Sequence, residues 1–163
     1  MTEQASHPRD TASVLTYRMG IQDANLAGNV HGGWIMKLCD DVAAIAATRL
    51  AGGRVVTAAV DGMKFRSPVR VGDVVTLRGT VNAAWRTSME VGVRVEAEDV
   101  HTGEITHTCT AYLTMVRLGD DEKPVALPQL TPLDAMEERR AREAAQRREV
   151  RLAKPGELRR VAE

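Results

Sequence analysis

A long segment with very few polar side chains lies between two pairs of glycines. Residues 34–51 (WIMKLCDDVAAIAATRLA) are rich in alanine and contain neither glycine nor proline, which predicts a helix. Gly52-Gly53 should end it. A helix that is apolar on nearly every side is expected to be buried rather than to lie on a surface. The remaining elements of the chain should therefore pack around this helix.

Segments typical of β-strands make up most of the chain between residue 54 and residue 118. Four of them are rich in valine and threonine and alternate in polarity: 54–65, 73–85, 88–100 and 104–118. Residues 12–19 predict an additional strand before the helix. Short connections between the later strands require antiparallel pairing. The sequence thus predicts an α+β fold, with one long helix against a curved antiparallel sheet.

The composition changes along the chain in a way that predicts four segments. Residues 1–10 are polar and predict a flexible leader, and residues 11–118 form the folded domain. Residues 119–133 carry three of the prolines and predict an extended linker. Residues 134–163 predict a charged helix and tail, with Asp134 as the helix cap.

The C-terminal segment carries a local excess of positive charge. Between residues 137 and 160 there are nine Lys or Arg and five Glu. The first interpretation is a solvated surface helix. The alternative is a helix that binds a phosphate-rich ligand or a neighbouring subunit.

Composition also argues against several classes of protein. The formal net charge is zero, which argues against nucleic-acid binding by the chain as a whole. The N-terminal residues lack the apolar segment of a secretory signal, and no run of about 18 apolar residues predicts a membrane span. Cys39 and Cys109 lie in apolar segments and are expected to be buried, reduced thiols. We therefore expect a cytoplasmic protein with no metal and no cofactor.

The residues that could carry chemistry cluster around the start of the long helix. Gly32 and Gly33 would let a ligand approach backbone N–H groups that have no partner within the helix, and such groups suit a polarised carbonyl or an oxyanion. Asp40 and Asp41 are neighbours on this helix, turned about 100° apart. One could enter a cleft as a general base or nucleophile, while the other pairs with a cation or meets solvent. His31 is expected to shape the loop or contact substrate rather than to act as a base.

Four motifs in residues 23–75 together resemble the cytosolic acyl-CoA hydrolases of the hot-dog superfamily, the brain acyl-CoA hydrolase type and its short bacterial relatives. The first two motifs are the Asn-x-x-Gly-x-x-x-Gly-Gly loop that starts at Asn25 and a carboxylate seven residues after Gly33. The other two are the tetrapeptide Val-Val-Thr-Ala and the Phe-x-x-Pro-Val-x-Val-Gly-Asp turn. Weaker similarity continues to about residue 117. The resemblance implies a five-stranded antiparallel sheet wrapped around one long helix. It also implies pairs of chains with active sites at their interface, and trimers of such dimers.

The resemblance implies a role for each residue that matches the family's motifs. Asp40 would be the catalytic carboxylate, Asn25 would be supplied by the other protomer, and the Gly33 N–H would polarise the thioester carbonyl. Substrate contacts are implied for His31, Gly32, Thr57, Lys64, Arg66, Arg86, Thr87 and Ser88. The implied substrate is acyl-CoA, hydrolysed to a free acid and CoA. The alternative function is a non-catalytic hot-dog module that binds acyl-CoA as a sensor or serves as a scaffold.

Overall fold

The computed structural model describes residues 7–153, which fold into a five-stranded sheet with one long helix on each face. The helices and strands are β1 (Ser13–Arg18), α1 (Gly32–Ala51), β2 (Val55–Phe65), β3 (Val74–Ala84), β4 (Ser88–Glu98), β5 (Ile105–Arg117) and α2 (Ala135–Leu152). The predicted strands and the long helix are therefore confirmed, with boundaries that differ by one or two residues at most ends. Within the described residues, neither helix is long and apolar enough to cross a membrane.

The sheet is antiparallel throughout, and its strands follow the order β1-β3-β4-β5-β2. The β2 strand therefore lies at one edge although it comes second in the chain. Its partner β5 aligns Met115 with Thr57, and β4 in turn aligns Met89 with Met115. This register sets Thr57 near the end of the sheet where the β3–β4 turn lies.

The core lies between α1 and the inner face of the sheet. Alternate residues of β4 point inward, and Val91, Val93 and Val95 are almost completely buried there. On α1, Val42 and Ala46 are fully buried. The opposite side of α1 is less covered than its composition predicts, since Met36 and Ile45 are 45% and 43% exposed in the single chain.

The ends of α1 are defined by local backbone chemistry. Gly52 has φ +63° and its N–H bonds the carbonyl of Thr48, so a residue free to adopt the left-handed region ends the helix, as predicted. The helix begins at Gly32, two residues before the predicted start. His31 serves as its N-cap, with its ring accepting a hydrogen bond from the Gly33 N–H.

The outer face of the sheet is covered by α2, whose Ala144 is fully buried. The Asp134 side chain caps this helix by accepting from the Glu137 N–H at 2.9 Å, as predicted. Arg147 binds Glu90 of β4 through two hydrogen bonds of 2.9 and 2.8 Å, and Glu90 is 0% exposed. The interpretation of this segment as a solvated surface helix is therefore wrong for the side of α2 that packs against the sheet.

Residues 7–10, expected to belong to a flexible leader, form part of a 3-10 turn that packs against the second half of the chain. Pro8 is buried, and Arg9 binds Asp134 at 2.6 Å and Glu137 at 3.0 Å. The prediction of a flexible leader rested on its polar composition. Composition alone does not show that Arg9 has ion-pair partners more than 120 positions away in the sequence. The rest of the leader, residues 1–6, and the tail at 154–163 lie outside the described residues.

Candidate active site

The two adjacent acids on α1 have different surroundings. Asp40 is half-buried and faces β2, where the Thr57 hydroxyl donates a hydrogen bond of 2.5 Å to its Oδ1. Asp41 is exposed and accepts a hydrogen bond of 2.6 Å from Lys37, one turn earlier on the helix. The helical rotation of about 100° per residue produces this separation. Asp40 is therefore the acid that faces a cleft, and Asp41 forms a surface ion pair.

A cavity of about 350 Å³ lies beside Asp40, and most of its wall is apolar. Met36 and Cys39 of α1 contribute to one side, and Val60 and Met63 of β2 to another. These lining residues were not singled out from the sequence. Simple alternation would place Val60 and Met63 on opposite faces of β2, and the register shift after Val60 brings them to the same cavity. The full lining set is Gly33, Met36, Lys37, Cys39, Asp40, Val60, Met63, Ala111 and Leu113. One carboxylate at an apolar cavity suits a ligand with a long apolar part and one reacting polar group.

The start of α1 reaches the same cavity through Gly33. Gly33 is exposed and lies about two turns, or ~10 Å, before Asp40. Its N–H donates to Nδ1 of His31 at 3.0 Å, so the group expected to polarise a carbonyl already has an acceptor. Gly32 packs against the ring of Phe65, 3.5 Å from where a Cβ would lie. A carbonyl can bind the Gly33 N–H once the His31 ring turns away or shares it.

Asn25 lies in a different cavity from Asp40. Its Oδ1 accepts hydrogen bonds from the N–H groups of Ala27 and Asn29 at 2.9 and 3.2 Å. It lines a cavity of about 360 Å³ together with Gly32, Arg66 and the turn that follows β2. The single chain therefore does not bring Asn25 and Asp40 into one site.

The other expected substrate contacts are spread over the molecule. Thr57 is beside Asp40, and Arg66 is beside Asn25. Lys64 precedes Phe65, whose ring faces α1, so strand alternation turns Lys64 toward the outer face. Ser88 begins β4 at the end of the sheet nearest Thr57.

The turn at Arg86 and Thr87 is held by the segment that follows β5. The carbonyl of Arg86 accepts from the Leu127 N–H at 2.9 Å, and that of Thr87 accepts from the Arg117 N–H at 3.3 Å. The side chain of Arg86 takes part in none of the ion pairs among residues 7–153. The turn therefore has a fixed backbone and can present this arginine to a ligand.

The two thiols near the site are buried, as predicted, and contact each other. A hydrogen bond with Cys109, together with burial, raises the pKa of the Cys39 thiol well above its usual range. Hydrogen bonding from Cys39 lowers the pKa of Cys109. Because the thiolate is the reactive form, a buried thiol with a raised pKa is suited to packing beside Asp40 rather than to nucleophilic attack. Among the described residues, no three His, Cys, Asp or Glu side chains are grouped as metal ligands.

Comparison with known proteins agrees with this geometry. Residues 27–104 match the model of the thioesterase superfamily. The chain is 33% identical to an acyl-CoA hydrolase from Staphylococcus aureus, solved with butyryl coenzyme A and coenzyme A. The two structures superpose with a TM-score of 0.84 over 90% of each chain. The chain belongs to the thioesterase superfamily.

Other members of the superfamily match over much of this chain. A hexameric acyl-CoA thioesterase has 36% identity and a TM-score of 0.88, over 93% of this chain and 97% of that one. The cytosolic acyl coenzyme A thioester hydrolase of Rattus norvegicus is 38% identical over 80% of this chain, which spans 35% of that protein. The five strands around α1 thus form the hot-dog fold, and α2 is an additional helix on its outer face.

Proposed function

We propose that this protein hydrolyses acyl-CoA to a free carboxylic acid and CoA, with Asp40 as the catalytic carboxylate. The observation that carries the proposal is the Asp40 carboxylate, held by Thr57 at 2.5 Å beside an apolar cavity. The cavity suits an acyl chain, and the carboxylate lies where the thioester would enter. The other polar side chains among the described lining residues are Lys37, which pairs with Asp41, and the buried thiol of Cys39.

The spacing of three residues supports the assignment. Solved structures of the Staphylococcus aureus hydrolase include variants in which one asparagine, one aspartate and one threonine are each replaced by alanine. The intervals between those positions are 15 and 17 residues, and the same intervals separate Asn25 from Asp40 and Asp40 from Thr57. We infer the corresponding roles for these three residues here.

The reaction follows from what each group can do. The Gly33 N–H polarises the thioester carbonyl after it leaves the His31 ring, and the α1 dipole adds to this effect. Thr57 occupies one oxygen of Asp40 and leaves the other to act. That oxygen either takes a proton from the attacking water or attacks the carbonyl itself to give a mixed anhydride. In both cases the C–S bond breaks, CoA leaves as the thiol, and water supplies the hydroxyl of the acid.

The adjacent acid provides a matched control for the catalytic assignment. Asp40→Asn should lower kcat by about 100-fold or more, because an amide can neither accept the proton nor attack. Asp41→Asn should leave kcat within about twofold, since it removes only an exposed ion pair. Release of free CoA from a series of acyl-CoAs, followed with a thiol reagent, measures both. Equal activity in the two variants would contradict the assignment, and tight binding without CoA release by the unaltered protein would favour an acyl-CoA sensor.

The site is completed, in our proposal, by a second chain that pairs along β2. This strand has 11 residues, lies at the edge of the sheet, and has no buried residue in the single chain. An edge of this kind exposes unpaired backbone groups and is a template for further pairing. The partner's copy of the Asn25 loop would then reach Asp40, and three such dimers would form a hexamer in the cytoplasm. The mass of the assembly in solution, from light scattering, tests this arrangement.

A further inference from the structure

A groove rich in arginine lies on the outer face of the sheet, across the sheet from Asp40. Its volume is about 490 Å³, within the range of roughly 300–1,000 Å³ found for small-molecule sites. Strands β3 and β4 contribute to its floor, and α2 forms a wall. The described residues that line it include one carboxylate, Glu143, and five arginines, which are Arg78, Arg94, Arg139, Arg140 and Arg147.

The floor of the groove places two cations side by side. Arg78 of β3 lies directly opposite Arg94 of β4 in the strand register, and like charges in such a pair destabilise a sheet. Glu96 lies between them and accepts from Arg78 at 2.7 Å and from Arg94 at 2.9 Å. One carboxylate is thus shared by two guanidinium groups.

The wall of the groove adds further positive charge. Arg140 is half-buried, and no carboxylate among residues 7–153 forms an ion pair with it. Arg139 reaches Glu143 only at 3.6 Å in an exposed pair, which is a weak interaction. Arg147 is already engaged by the buried Glu90. The five arginines are therefore matched by the three carboxylates Glu90, Glu96 and Glu143, which leaves two positive charges without a counter-charge.

We propose that this groove binds a pyrophosphate-type anion, with Arg78 and Arg94 below it and Arg140 beside it. The planar guanidinium group binds two phosphate oxygens at once, and its charge strengthens both hydrogen bonds. Two linked phosphates match the surplus cations, which come from two sides of the groove. Gly92 and Asn82 line the floor of the groove, and the Asn82 side chain packs against Gly92, 2.6 Å from where a Cβ would lie.

Two sources could supply this anion. One is a free pyrophosphate-type metabolite, and the other is the pyrophosphate of a CoA molecule. Because the groove and Asp40 lie on opposite faces of the sheet, such a CoA would belong to the site of a neighbouring chain. The chemistry recognised by the arginines is the same in both cases.

The binding test is a calorimetric titration of the whole protein with sodium pyrophosphate, at an ionic strength held constant with sodium chloride. We expect saturable binding at one site per chain. Arg140→Gln and Arg78→Gln should each weaken it by about tenfold or more, because each removes charged hydrogen bonds to the anion. Arg54→Gln is the matched control, since Arg54 is an exposed arginine paired with Glu122 outside the groove. It should leave the affinity unchanged.

Three results would overturn the proposal. They are the absence of saturable binding at constant ionic strength, equal affinity in Arg140→Gln and the unaltered protein, and a change in the mass of the assembly when either groove arginine is replaced. The last result would identify the groove as a contact between subunits. Light scattering on each variant detects it.

A second titration, with CoA in place of pyrophosphate, identifies the source. If Arg140→Gln weakens CoA binding by the same factor, the anion is the pyrophosphate of a neighbour's CoA. If CoA binding is unchanged while pyrophosphate binding is lost, the ligand is a free anion. Neither titration requires turnover. The result therefore holds even if the proposal of thioesterase activity, on which the CoA titration draws, is wrong.

Discussion

At the scale of single residues, the decisive contact is the hydrogen bond from Thr57 to Asp40. It joins α1 to an edge strand and keeps one carboxylate oxygen occupied. The sequence pattern placed both Asp40 and Asp41 on α1, and helical rotation predicted that they face different ways. It could not say which acid faces β2, because that depends on how α1 lies on the sheet. The family resemblance selected Asp40 as the catalytic acid, which stays a prediction, and the structure shows that Asp40 is the acid that faces β2.

Replacing Thr57 tests whether this contact supports catalysis. Thr57→Val keeps the shape of the side chain and removes the hydroxyl. We expect kcat to fall by about tenfold with little change in KM, because the carboxylate loses a charged hydrogen bond that orients it. Thr57→Ser keeps the hydroxyl and should retain most of the activity. Steady-state kinetics on both variants provide the check, and equal activity of the valine and serine variants would argue against an orienting role.

The hydrogen bond between His31 and Gly33 could not be predicted from the sequence. A histidine before two glycines is compatible with several ring orientations, and only the three-dimensional structure shows Nδ1 at 3.0 Å from the Gly33 nitrogen. In the mechanism that we propose, the thioester carbonyl would therefore compete with the His31 ring for the Gly33 N–H.

His31→Asn offers a test of that competition. The amide oxygen of Asn is a strong N-cap acceptor, so stability should be retained. The Asn side chain should accept a hydrogen bond from the Gly33 N–H as the imidazole does. The KM of this variant should therefore stay within about threefold of the KM of the unaltered protein. His31→Ala removes the acceptor, and the cap loss should cost about 1 kcal/mol of stability while freeing the N–H for substrate. Kinetics and thermal unfolding, measured together, separate the two effects. A loss of kcat of about 100-fold in both variants would instead indicate that the imidazole takes part in the chemistry.

At the scale of elements, alternation and composition were sufficient for the strands and for α1. The burial of side chains alternates along most of β3 and β4, whereas β2 has two irregularities in its pairing with β5. The position of α2 was missed because its many charges are also typical of a solvated helix. Two aromatic residues could have indicated that α2 covers the sheet. Without α2, the side chains of Trp85 and Tyr112 would be exposed to solvent on its outer face. Arg148 packs over the Trp85 ring at 4.9 Å and Arg147 over the Tyr112 ring at 3.7 Å.

The attachment of α2 depends strongly on Arg147. Arg147→Ala leaves the fully buried Glu90 with Asn82 as its one side-chain partner among residues 7–153, and we expect a loss of about 3–5 kcal/mol in the free energy of unfolding. The matched control on the same helix is Arg142→Ala, which breaks only an exposed pair with Glu138 at 3.8 Å and should change stability by less than about 0.5 kcal/mol. Urea unfolding at a fixed protein concentration measures both. Equal losses would show that Glu90 is stabilised by other means.

At the scale of the whole molecule, the single chain looks incomplete. Asn25 and Asp40 line separate cavities, and β2 is an uncovered edge with Val60 and Phe65 about half exposed. The family resemblance implied a shared site, but the periodicity of the sequence could not, because a partner leaves no mark on periodicity beyond apolar residues that remain uncovered. The exposed Met36 and Ile45 of α1 are such residues.

Co-expression of two inactive variants tests whether the site is shared. Asn25→Ala and Asp40→Asn should each be nearly inactive alone. If each site takes Asn25 from one chain and Asp40 from the other, a mixed dimer has one intact site, and random pairing restores about a quarter of the normal activity. No recovery in an assembly of normal mass would place both residues in one chain.

The buried pair of Glu90 and Arg147 also has a consequence for the order in which the protein takes shape during synthesis. The two residues are 57 positions apart, and the ribosome makes the N-terminal part first. All five strands are therefore synthesised before the cation that neutralises Glu90 exists. Until α2 emerges, Glu90 must remain hydrated, and the outer face of the sheet is open to other proteins. When α2 packs on the sheet, it covers the solvent-exposed outer face. A chaperone that binds this face of the growing chain must therefore do so before α2 is synthesised.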